Sequence, residues 1–320
     1  MRLSTMLKKI SVPCSLVRDG EFQIMEQCTR IRRADALTYL DREKFLPALE
    51  DLNISCVICK PEFAGKLPAH IKGIVFSNEP KLIFFLLHNA VADFVEKVPN
   101  KIDSSARISP LADIAPYNVT IGPRVVIGPF VTVGENTEIH ADVHIHEGCA
   151  IGAQGFTSVR SGDAMFLARD LGKVRIDQGV EICAHCDVAR GTLLLDTTVL
   201  GAYTKLDAKV HIGHGSVLGK RVLVPSGAHI AGNCVVGDDV WIGVNATVSN
   251  RIKIGEGARV SLGSVVTKDV PAGQTVTGNF AIDHARFMKN LKASVWEADF
   301  GDNCPPSTDK KLGGAFQSYK

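Results

Sequence analysis

An aliphatic residue occupies every sixth position from Ile176 through Ile182, Val188, Leu194 and Leu200 to Val260 and Val266, without a miss. Helices bring like positions back every 3.6 residues and strands every two, so a sustained period of six belongs to neither alone. It marks a repeat architecture in which each unit buries one aliphatic side chain. Glycine follows many of these key positions, as in Ile212-Gly213, Leu218-Gly219 and Ile242-Gly243. That order predicts short strands joined by tight corners that glycine permits. The same spacing begins weakly at Ile102, Ile108 and Ile114, slips by one residue, and resumes from Ile121 to Ile151. Residues 154–173 leave the register and carry Gly155-Phe156, Met165, Phe166 and Leu167. An excursion of that length is expected to project as a loop with a functional use.

Residues 1–100 have no such period and are expected to form a small α/β domain. Ser55–Lys60 and Gly73–Phe76 are β-branched-rich runs of strand character. From Lys81 to Glu96 the apolar Ile83, Phe84, Leu87, Val91 and Phe94 share one helical face, with Pro80 near the first turn. After Val270-Pro271 the period stops, and Ala281 to Trp296 reads as a terminal helix followed by a polar, poorly ordered tail. The expected division is 1–100, 101–272 and 273–320.

A chain of 320 residues, 45% hydrophobic and 22% charged, has room for more than one core. A net charge of +2 with scattered Lys and Arg gives no footprint for nucleic acid. The most apolar stretch, Leu82–Leu87, is far too short for a membrane span, and Met1–Ile10 lacks the apolar region of an export signal. A cytoplasmic location is expected. Nine cysteines, odd in number and dispersed, suit reduced thiols better than a disulfide framework. Cys183 and Cys186 bracket His185 as a CxxC pair, but no second pair completes a zinc site, and small residues suit the repeat there.

The repeat resembles the hexapeptide repeat of left-handed parallel β-helices, a mainly β fold whose triangular coil takes three hexads. Residues eighteen apart then stack at about 4.8 Å, the spacing of neighbouring strands. The usual crossover preference is right-handed, so the left hand is what the resemblance implies. Over nearly its whole length the chain resembles the UDP-3-O-acylglucosamine N-acyltransferases of lipid A synthesis. The carriers are Leu37-Thr38-Tyr39 with Lys44-Phe45, Gly155-Phe156, Gly172-Lys173-Val174-Arg175-Ile176, Ala189-Arg190-Gly191, Asp196-Thr197-Thr198-Val199-Leu200-Gly201 and Ile212-Gly213-His214. It departs from that family at Gly213 and Gly215, where Ile-Ala-His-Asn is usual, and at Asn250-Arg251, where a Gly-His pair is expected. From Val236 onward it is similar instead to acetyl-CoA-dependent sugar acetyltransferases.

These resemblances imply a homotrimer with active sites between subunits. The leading expectation is transfer of an acetyl group from acetyl-CoA to the amine of a nucleotide-linked amino sugar, for surface polysaccharide. The alternative is lipid A synthesis proper, with a hydroxyacyl chain delivered by acyl-carrier protein. A third reading is a zinc solenoid like the γ-class carbonic anhydrases, with His185, His211 and His214 as ligands.

Amide formation from a thioester needs a base for the amine proton and donors for an oxyanion. His214 stands where the superfamily places its base; the alternative is an exposed corner histidine. Gly232, eighteen residues on, is the expected oxyanion donor through its N–H. Asp196, eighteen residues before, is expected to orient the imidazole, with plain solvation as its alternative. His211 and His229 should stack and contact sugar and donor, or cover a trimer seam. Tyr39 and Phe45 match the aromatic pair that sandwiches uracil in the family, with Arg42 between them. Ser261, Gly263 and Lys268 are the expected contacts for the donor, and no metal is expected at the site.

Overall fold

In the computed structural model, which describes residues 1–278, 281 and 283–290, three parallel sheets of nine, eight and eight strands wind into a left-handed β-helix. It runs from Lys101–Ile102 to Thr275–Val276. The key aliphatics point inward: Ile212, Ile230 and Val248, stacked in register, are all 0% exposed. A second inward row lies four residues after each key and holds small side chains such as Val222, Ala228 and Cys234. Each fully buried Val or Ile contributes roughly 1.5–3 kcal/mol, so this double stripe holds the prism together.

The corners differ from the expectation. The left-handed residue comes three positions after the key, as at Gly215 (φ 67°), Arg221 (φ 57°) and Asn233 (φ 60°). The glycine directly after the key answers a different demand. A Cβ on Gly213 would lie 2.5 Å from the Gly232 nitrogen, and one on Gly201 would lie 2.3 Å from the Gly219 carbonyl oxygen. Glycine is needed there so that one coil can approach the next, and the turning is left to the later residue.

The end coils miss three hexads slightly, Ile108 pairing with Ile127 and Val260 with Val276, but two coils in the middle break the rule outright. Ile139 pairs with Ile176, Ile145 with Ile182 and Ile151 with Val188, each 37 positions on. Above them Ile176 pairs with Leu200, Ile182 with Leu206 and Val188 with Ile212, each 24 positions on. The first of these coils holds the excursion; the second holds a whole extra hexad. The extra key, Leu194, leaves the prism and packs with buried Leu193 against the core of the N-terminal layer.

That layer is a five-stranded sheet, ordered β1-β5-β4-β3-β2, of β1 (Ser15–Arg18), β2 (Ile24–Met25), β3 (Ala36–Leu40), β4 (Ile54–Cys59) and β5 (Gly73–Phe76). Only β1 runs antiparallel to its neighbour. β4 is buried at all six positions, as a strand covered on both faces must be. Helices α1 (Leu3–Leu7) and α2 (Pro80–Val91) pack on the sheet, Pro80 taking the first turn of α2. The expected helix to Glu96 ends early, at Val91; Phe94 lies in a separate short turn and is exposed.

The excursion does not simply project. It forms a hairpin of Ser158–Ser161 and Ala164–Leu167, whose Val159, with Ala168 just beyond, enters the core containing Phe84 and Phe85 of α2. Ser161 Oγ donates to Glu79 Oε2 at 2.8 Å, and His88 Nε2 meets the Arg169 carbonyl at 2.9 Å. Sheet layer, hairpin and prism therefore belong to one compact unit, residues 1–278. Residues 284–290 are helical; the remainder of the expected terminal helix and the tail lie outside the described residues. No helix among the described residues is long and apolar enough to cross a membrane.

Candidate active site

His214 occupies the corner after the strand His211–Ile212. Ile230 pairs with Ile212, so Gly232 falls over the histidine one coil up. A Cβ on Gly232 would lie 2.6 Å from His214 Nε2, and only a residue without one lets the imidazole rest against the next coil. The Gly232 N–H has no hydrogen-bond partner among the described residues. An unspent donor thus lies beside a basic nitrogen.

The other ring nitrogen, Nδ1, lies 3.2 Å from the Thr192 hydroxyl, which is itself 3.1 Å from that of Thr157. Gly155 of the excursion presses on the opposite side, where a Cβ would sit 3.3 Å from His214 Cβ. The Gly155 N–H donates to the Asp170 carboxylate. Burial holds that carboxyl above the usual range, opposed by the Gly155 N–H, the Thr192 hydroxyl and the charge of His214. Its Oδ1 is buried without a partner among the described residues.

Asp196 requires a correction. Because Ile212 pairs with Val188 and not with the residue eighteen below it, the extra hexad displaces Asp196 from the stack under His214. Its carboxylate accepts from Arg32 Nη2 at 2.9 Å and from the Leu193 N–H at 3.1 Å. The atom that meets the imidazole is the Thr192 hydroxyl. Asp196 serves instead to hold the N-terminal layer: Arg32 also reaches Glu26 Oε1 at 2.6 Å and the Leu195 carbonyl at 2.8 Å. Glu26 is 0% exposed, and a carboxylate so buried requires such a partner. Beside it Arg30 donates to Asn233 Oδ1 at 3.2 Å. Residues 26–33 thus roof a small cavity of about 40 Å³ over His214, Thr192 and Asn233.

Gln27 of this roof also lines a second cleft, of about 200 Å³, that brings Tyr39, Arg42 and Phe45 together with Lys81 and Arg251. The Tyr39 ring is tilted against Phe84 at 5.0 Å between centroids, and burial pushes its hydroxyl up to about 12. Lys44 Nζ lies 4.9 Å from the centre of the Phe45 ring. Arg251 donates to Gln27 Oε1 at 3.3 Å. It stands where the sequence departs from the expected Gly-His pair, and so supplies a cation to this cleft.

The remaining predicted residues lie elsewhere in the chain. His211 and His229 do pair in register, with ring centroids 6.1 Å apart. They stand on the outer face of the sheet, His211 Nδ1 bonded to Asp187 Oδ2 at 2.8 Å, and neither lines the cavity at His214. Ser261, Gly263 and Lys268 belong to the last coils, the Ser261 hydroxyl 3.1 Å from that of Thr277 and Lys268 exposed. Within one chain His185, His211 and His214 do not assemble as metal ligands. The one cluster of at least three metal-ligating groups among the described residues is His144, His146 and Glu181. Cys186 lies in the prism core with its thiol directed at the Asp207 carbonyl, 3.0 Å away; hydrogen bonding to Cys149 and burial push that thiol up.

Sequence reasoning missed Thr192, Asp170, Arg30 and Arg32. The first two lie in the extra hexad and the excursion, where the six-residue ruler has no predictive power. The arginines sit in a segment that has no periodicity at all.

The bacterial transferase hexapeptide family (six repeats) matches residues 118–153. The chain is 39% identical over 84 residues to a UDP-3-O-acylglucosamine N-acyltransferase of Rhizobium rhizogenes, covering 26% of this chain and 23% of that protein. The enzyme of the same name from Helicobacter pylori is 26% identical over 252 residues, covering 71% of this chain and 73% of its own. That from Helicobacter hepaticus is 30% identical over 211 residues, covering 59% and 64%. The Rhizobium match spans less than a quarter of its relative, whereas the Helicobacter matches take in most of theirs. The chain thus carries a bacterial transferase hexapeptide match over residues 118–153 and, over most of its length, is similar in sequence to UDP-3-O-acylglucosamine N-acyltransferases.

Proposed function

We propose that the protein is an N-acyltransferase that moves an acyl group from a thioester to the amine of a nucleotide-linked amino sugar. The observation that carries this reading is the convergence at one corner of the His214 imidazole and the unbonded Gly232 N–H. His214 Nε2 takes the amine proton as the C–N bond forms, and the Gly232 N–H donates to the oxygen of the tetrahedral intermediate. The proton then passes to the departing thiolate. Thr192 at Nδ1 orients the ring. The nucleotide base stacks in the cleft of Tyr39 and Phe45, worth roughly 1–3 kcal/mol, and Arg42, Lys81 and Arg251 face its phosphates.

Of the two acceptors expected from the sequence, the relatives support UDP-3-O-acylglucosamine, and the hydroxyacyl-carrier-protein donor expected with it belongs to the same proposal. The support is their shared name over as much as 73% of a relative's length. The homotrimer, with sites completed between subunits, belongs to the same proposal. Thiol release measured with UDP-3-O-acylglucosamine and a hydroxyacyl-carrier protein should exceed release with acetyl-CoA. His214→Ala should lower kcat on the order of 10²-fold or more; near-wild-type turnover by that variant would reject the assignment.

A further inference from the structure

A second cluster of chemically capable side chains lies on another face of the prism, in the nine-stranded sheet. His144 and His146 belong to one coil, two positions apart, and Glu181 pairs with His144 from the coil above. The His144 and His146 rings stack at 4.2 Å with an interplanar angle of 23°. Glu181 Oε1 lies 3.3 Å from His146 Nε2, while its Oε2 lies 3.2 Å from Lys205 Nζ. One ligand atom from each of His144, His146 and Glu181 lies within 4.8 Å of the others.

Two imidazoles stacked this closely repel when both are protonated, so the arrangement favours a ring with a free lone pair. Burial and the neighbouring His146 both hold His144 below the usual histidine value. A neutral imidazole nitrogen is the ligand that zinc-class cations prefer, and a carboxylate oxygen completes a common ligand set. Around a tetrahedral ion at ~2.0 Å, ligand atoms stand about 3.3 Å apart. Closing from 4.8 Å or less to that spacing takes side-chain rotation alone, since register already fixes the three backbones.

We infer that His144, His146 and Glu181 form a three-ligand site for a divalent cation of the zinc class, with water as the fourth ligand. The site is structural. It joins His144 and His146, which precede the 154–173 excursion, to Glu181, which follows it, and so clips the two coils between which the excursion is inserted. Neither the chemistry at His214 nor the choice of donor depends on it.

The test uses the full-length protein, stripped with a chelator and titrated with Zn²⁺ in a calorimeter, with Co²⁺ absorption reporting the coordination. One equivalent should bind with the absorption of a tetrahedral nitrogen and oxygen site, and Tm should rise as it does. His144→Ala, His146→Ala and Glu181→Gln should each weaken binding by about 10-fold or more, whereas His211→Ala, on another sheet, should not. Because these side chains sit on the prism's outer surface, the variants should keep their fold, and circular dichroism confirms it. Absence of saturable one-to-one binding, or binding that survives in the His144→Ala and His146→Ala proteins, overturns the site.

Discussion

The upper prism and its middle follow the same six-residue pattern and do different things with it. From Leu200 to Val266 every coil closes in eighteen residues, as Leu218 over Leu200 and Ile230 over Ile212 illustrate. Between Ile139 and Leu200 the coils take 37 and then 24 residues. The regular part supplies a rigid stack with Gly232 at its lower corner. The irregular part supplies Gly155, Asp170, Thr192 and Asp196, nearly everything that touches His214 or holds the N-terminal layer above it. Regular coils position a site, and the breaks in regularity furnish it. Surplus residues at a corner also have nowhere to go but outward, where the hairpin and Leu194 meet the sheet layer.

Removing the break should therefore cost more than any single substitution. Deleting Gly191–Asp196 would return that coil to eighteen residues while preserving the period of six. The prism should still form, judged by circular dichroism, but turnover should fall on the order of 10²-fold or more, since Thr192 and the Arg32 anchor both go. A shortened protein with wild-type turnover would show that the extra hexad is idle.

Substituting glycines in the two settings sharpens the contrast. In Gly232→Ala the new methyl meets a side chain, the His214 ring, which can swing away; kcat should drop about 10-fold with little loss of Tm. In Gly201→Ala the methyl meets the Gly219 backbone, which cannot, so Tm should fall by several degrees. Equal stability losses in the two variants would break the distinction.

The smallest expected effect concerns Asp170. Burial raises this carboxyl in the folded protein above its unfolded value. The folded state therefore holds the proton more tightly, and the stability this gives is present at low pH and lost as pH rises through the folded value. Asp170→Asn should melt higher than wild type at pH 7–8, with the gap narrowing toward pH 4. A gap that stays constant across that range would mean the carboxyl is not held up by burial.

The spacing of Ile176 to Val266 was enough to establish the solenoid, because an aliphatic at each sixth place can be buried only if the chain turns at that interval. It also located His214 against Gly232, since those two lie in the region where three hexads do make a coil. For Asp196 the same ruler failed. A hexad adds six residues whether it closes a triangle or bulges from a corner, and Leu194 looks identical in either case. Only the packing of Leu193 and Leu194 onto the N-terminal core distinguishes them. The β4 and β5 strands were likewise visible as short β-branched-rich runs, while residues 26–33 carried no pattern that announced a roof. Periodicity thus settled the local fold, being a property of neighbours along the chain. Coil closure, the Thr192 contact and the arginine bridge to Glu26 and Asp196 join residues far apart in sequence, and burial of distant surfaces against each other decided them.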